Sequence, residues 1–201
     1  MKKLVKTWMT TNRPYMRVAK VYFSFSTLYE LTTDLFIPAL LGACFFIFSL
    51  MSHATFDEFS HFSISVLSLG VTVIAILAGF NVASMAMIGA APGSFIKNLA
   101  KVTSNTEINV LEGLMSMFAW AVLVQIIVLV LSLIYFSLTR FFAPFSLPHS
   151  LESGEVPVFD LFFSIGIFIA LHSLFLSARN VTAIFKIIVR SMEENERDNE
   201  S

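Results

Sequence analysis

Residues 114–136, LMSMFAWAVLVQIIVLVLSLIYF, contain no Asp, Glu, Lys, Arg or His. A run of this length is what a helix needs to cross the hydrocarbon core of a bilayer, and within one segment only a helix satisfies its own backbone there. Three more apolar runs of similar length occupy residues 35–51, 62–80 and 161–178. Composition agrees: 56% of the 201 residues are apolar and 13% charged, against roughly 45–50% and 25% in soluble domains. The chain is therefore expected to be an all-α integral membrane protein with four transmembrane helices in two hairpins.

Charge position sets the expected orientation. Lys2, Lys3, Lys6, Arg13, Arg17 and Lys20 precede the first run, Lys97 and Lys101 lie in the 91–104 connection, and Arg179, Lys186, Arg190 and Arg197 follow the last run. Of the 13 Lys and Arg residues, only Arg140 falls on the opposite side. This asymmetry places both termini in the cytoplasm, and short loops on a lean chain favour the bacterial inner membrane. The basic stretch ahead of the first run is too long for a secretory signal, so that run is expected to be retained. The outer connections, 52–61 and 138–158, carry Asp57, Glu58, Glu152 and Glu155, with Pro144, Pro148 and Pro157 keeping the second one irregular.

Three regions follow: a basic, amphipathic cytoplasmic segment at 1–34, a four-helix domain at 35–192, and a charged tail at 193–201 expected to be disordered. Residues 14–31 mix cations at a spacing of three to four with aromatic bulk. They form either an amphipathic helix on the inner membrane surface or an extension of the first helix. The second helix can continue over 82–90, until Ala91-Pro92-Gly93, and the fourth over 182–192. Ser104-Asn105-Thr106-Glu107 has the pattern of a capping box, which would start the third helix ahead of its apolar stretch. Together these extensions, about 15 Å each at helical rise, predict a helical collar in the cytoplasm.

Catalytic and metal-binding patterns are missing from the sequence: there is no His-x-x-x-His pair, no Gly-rich phosphate loop and no Gly-x-Ser-x-Gly. One cysteine, Cys44, permits neither an intrachain disulfide nor a cysteine metal site. With a net charge of -1, direct nucleic-acid binding has no support either. The expectation is a protein with no enzymatic activity, no metal and no cofactor.

The polar residues at the cytoplasmic ends of the runs are Asp34, Asn81, Glu112, Arg179 and Asn180, which form the candidate partner-binding collar; Glu112 and Arg179 could pair there. Deeper in the spans lie Gln125, expected to bond to a neighbouring helix or subunit, and His172. The histidine is expected to be hydrogen-bonded in the bundle core, with proton relay as the alternative. Small residues recur as Ala75, Gly79 and Ala83 and as Gly166, Ala170 and Ser173, spacings that let helices approach closely, within the bundle or between subunits. The phenylalanines are expected to face lipid for the most part.

A small four-pass chain with cytoplasmic termini and helices protruding inward resembles, over its whole length, the membrane subunits of Kiwa-type bacterial antiphage defence systems. That resemblance implies a homo-oligomer, with a tetramer favoured, that contacts membrane lipids, senses phage arrival and is coupled to a soluble cytoplasmic partner protein acting on phage DNA. It carries over no individual residue. The expected function is thus a sensor or scaffold whose collar and basic segment engage that partner. The alternative is a pore that depolarises the membrane. Transport ranks third, because Pro38 and Gly42 alone interrupt a span.

Overall fold

A computed structural model describes residues 2–51, 56–103, 108–142 and 158–200, with side chains over 13–51, 58–103, 108–141 and 158–189. These residues form helices α1 (Lys2–Phe25), α2 (Leu28–Leu31), a π-helix (Thr32–Phe36), α3 (Ile37–Met51), α4 (Phe56–Gly89), α5 (Gly93–Lys101), α6 (Val110–Phe142) and α7 (Val158–Glu200). Four stretches are long and apolar enough to cross a membrane: Leu28–Met51, Glu58–Gly89, Val110–Phe141 and Val158–Val189. The chain is a multi-pass, all-helical membrane protein.

Several local details depart from expectation. α1 does not run on into the first span, because it ends at Phe25 and two residues intervene before α2. The Ser26 N–H still donates to the Tyr22 carbonyl at 3.0 Å, after which the helix lapses at Ser26 and Thr27. In the connection expected to be a loop, Pro92 both ends one helix and starts another: the Ile96 N–H donates to the Pro92 carbonyl at 3.1 Å, and α5 follows. Proline is suited to that place, where its missing N–H is of no consequence.

The third long helix starts at Val110, later than the capping box predicts. Ser104, Asn105, Thr106 and Glu107 lie outside the described residues, and the cap is Asn109, whose Oδ1 accepts from the Glu112 N–H at 2.7 Å. Upstream, the Val110 N–H reaches the Val102 carbonyl at 2.9 Å and closes the connection. Over 193–200, where disorder was expected, α7 continues to Glu200. No Gly or Pro interrupts 167–200, and Glu, Arg and Met are good helix formers, so a helix already nucleated in the membrane propagates outward.

By contact density the chain forms two compact units. The first comprises Met1–Thr27, Asn81–Ala121 and Leu176–Ser201, and the second Leu28–Phe80 and Val122–Phe175. In the second, Phe59, Tyr135 and Phe163 are buried, with Phe45, Val66, Leu67, Phe159, Phe162 and Ile167 packed around them. Ring centroids of Phe59 and Phe163 lie 5.8 Å apart edge to face, and Phe45 and Phe163 5.4 Å, the offset geometry aromatic rings prefer. Phe36, Phe48, Phe62, Phe80, Phe136, Phe141 and Phe185 are exposed, so many phenylalanines do face outward while these few build the core.

Candidate functional site

In the first unit, α4 and α7 are joined by side chains alone. Asn180 Nδ2 donates to Asn81 Oδ1 at 3.0 Å, and Asn81 Nδ2 donates to Ser177 Oγ at 3.1 Å. Ser177 and Asn180 are three residues apart, hence on one face of α7. All three side chains are fully buried. Amides removed from water are costly unless paired; Asn81 is bonded through both its oxygen and its nitrogen, while Asn180 is bonded through Nδ2 and its Oδ1 has no partner among the described residues.

Arg179 lies between Ser177 and Asn180 in sequence and points elsewhere. Its guanidinium sits 4.9 Å from the centre of the Tyr22 ring, a cation–π distance. Tyr22 is wholly buried and stacks on Trp120, with centroids 5.6 Å apart; Phe23 meets both rings edge on. The proposed partner of Arg179, Glu112, is taken by a different arginine. Arg17 places Nε 3.0 Å and Nη2 2.7 Å from Glu112 Oε1. The expected Glu112–Arg179 pair is therefore replaced by Glu112–Arg17, because α1 lies against α6 and brings both Arg17 and Tyr22 to the site. Nearby, Gly113 admits the Phe25 ring so closely that a Cβ there would stand 2.5 Å from it.

Asn81, Glu112, Arg179 and Asn180 thus converge in one unit, while Asp34 belongs to the other. Asp34 is 3% exposed and lies in the π-helix. Its carbonyl is 2.7 Å from His172 Nδ1. A carbonyl only accepts, so Nδ1 carries the proton. Four residues on, Pro38 has no N–H to give to the Asp34 carbonyl, as residue i+4 of an α-helix would. His172, buried beside Phe168, supplies a donor instead, as neighbouring helices do at prolines in membranes. Gln125 is also fully buried.

Of the small residues, Ala75, Gly79 and Ala83 are exposed, and a Cβ at Gly79 or Gly166 would touch nothing within 4 Å. Ala170 is half-buried and Ser173 wholly buried. Close approach in the second unit falls instead at Gly42, where a Cβ would stand 3.1 Å from Phe168 Cβ and 3.2 Å from the Ser164 carbonyl. Spacing identifies a row of small residues; which face meets a neighbour depends on rotation about the helix axis, and spacing does not carry that.

Two polar contacts escape a reading centred on the ends of the runs. Ser49 Oγ donates to Asp160 Oδ1, and Tyr135 OH donates to Ser63 Oγ at 3.0 Å. Asp160, 1% exposed, sits in the first turn of α7, where the helix dipole favours a carboxylate. An acid directly abutting an apolar run, with a serine at the end of another, is the signal that could have found the pair. In the first unit the polar groups supply hydrogen bonds between helices, an ion pair, and the Arg179 charge on the face of Tyr22. Compared with known proteins, the chain matches no family model, no curated protein and no solved structure.

Proposed function

We propose that the protein is a membrane-embedded scaffold or sensor subunit that oligomerises and couples a change in the bilayer to a soluble cytoplasmic partner. The observation that carries this is α7, one uninterrupted helix of 43 residues. At 1.5 Å per residue it is about 65 Å long, and roughly 30 Å of that crosses the hydrocarbon core. The remainder ends in the charged sequence EENERDNE, which suits contact with a protein better than contact with lipid. The same helix carries Ser177, Arg179 and Asn180, tying the outward segment to α4 and α1. The inward orientation of that segment follows from the positive-inside asymmetry, and the resemblance to Kiwa-type membrane subunits supplies antiphage defence as the setting. Exposed Ala75, Gly79 and Ala83 support self-association through α4.

The test is co-expression with the products of the neighbouring genes, purification from membranes, and a mass measurement of the intact assembly. A stoichiometric soluble partner is expected with the full chain and is lost when the chain stops at Met192. A homo-oligomer of the full chain without any partner, conducting ions in liposomes, would replace this function with a pore.

A further inference from the structure

We infer that α1 is a membrane-surface helix selective for anionic phospholipid. The first 29 residues contain six Lys and Arg and no Asp or Glu, since Glu30 is the first acid. Residues 2–25 are one helix, and at about 100° per residue Arg13, Arg17 and Lys20 share an arc of about 60°. A separate arc holds Tyr15, Met16 and Phe23. These three are 56%, 57% and 45% exposed, whereas Val21 and Tyr22, on a third side, are buried. The helix therefore has one side on the protein, one uncovered apolar side with aromatic residues, and one cationic side. Such a partition fits the boundary between headgroups and acyl chains.

The place of α1 agrees. It packs on α6 through Arg17 on Glu112, Phe25 over Gly113, and Tyr22 and Phe23 on Trp120. α6 spans Val110–Phe141, so all of these contacts fall within the first eleven residues of that span, at one end of it. The chain enters its first span at Leu28, three residues past the end of α1, which tethers the helix at the bilayer boundary. Arg17 is already paired with Glu112; the other five cations, on a helix that itself carries no acid, are complementary to the anionic inner leaflet. This inference rests on the membrane fold and not on the partner protein.

Trp8 and Trp120 are the two tryptophans of the chain, so Trp120→Phe leaves Trp8 as the reporter. In liposomes with about a third anionic lipid, brominated acyl chains should quench Trp8 at least about twofold more than in wholly zwitterionic liposomes, with a blue-shifted emission. Salt at about 1 M, or Arg13→Gln with Lys20→Gln, should remove the difference. Quenching that is independent of lipid charge overturns the inference. So does a Trp8 open to aqueous iodide in both lipids, or one shielded only by a bound soluble protein. Should Trp120→Phe disturb the Tyr22 stack, an environment-sensitive dye on Cys44→Ser/Met16→Cys gives the same readings with Trp120 in place. Failure of partner capture, with anionic quenching intact, would count against the proposed function alone.

Discussion

Pro38 and His172 are 134 positions apart, and the pairing of the Asp34 carbonyl makes them one structural decision. If His172 is there to replace the N–H that proline lacks, the two substitutions must be coupled. His172→Phe should lower stability in detergent by about 1 kcal/mol, in the range of an interhelical hydrogen bond in a membrane protein. In a Pro38→Ala background, where residue 38 can donate, the same change should cost measurably less. Equal costs in a double-mutant cycle followed by thermal unfolding would mean that the histidine serves something other than that carbonyl. A second test concerns Asn81, which accepts from Asn180 and donates to Ser177. Asn81→Leu removes both bonds and leaves two buried polar groups, so a loss of about 1–2 kcal/mol is expected, larger than for removing the Ser177 hydroxyl alone by Ser177→Ala.

Among the elements, the spans were legible because a bilayer imposes a length and a polarity on every segment that crosses it, and residues 114–136 meet both without exception. The short elements were not. α5 depends on Pro92 starting a helix as well as ending one, and α1 depends on a break at Ser26 and Thr27 that has no strong sequence mark. Position at the ends of the runs groups Asn81, Glu112, Arg179 and Asn180 but not Asp34, which lies in the other unit, and charge pattern does not say that Arg17, a member of the amphipathic stretch, meets Glu112 in place of Arg179. Helix faces were the least legible, since lipid is as apolar as a helix interface and periodic hydrophobicity loses its contrast. That loss separates two glycines experimentally. Gly42→Leu should destabilise the fold by about 2 kcal/mol, because Phe168 and Ser164 leave no room. Gly79→Leu should leave thermal unfolding of the monomer unchanged, and native mass spectrometry should show a smaller oligomer if α4 joins subunits.

For the molecule as a whole, sidedness decides whether the basic end and the far end of α7 can meet anything in the cytoplasm. In a Cys44→Ser background, single cysteines at Lys3, Ser94 and Ser191 should react with a membrane-impermeant maleimide only after permeabilisation, and one at Ser150 should react in intact cells. Labelling in the reverse sense would move the whole functional proposal to the other face. Should the expected sense hold, the length of α7 acquires a mechanical meaning. Transmembrane helices answer a change in bilayer thickness by tilting, and in a straight helix a tilt is magnified with distance from its pivot. Swinging the stretch from Leu176 to Glu200, about 37 Å at helical rise, by about 10° carries its far end sideways by about 6 Å. A thinning of the membrane too slight to disturb any single contact would then arrive at the charged end as a lever stroke of about half a helix's width.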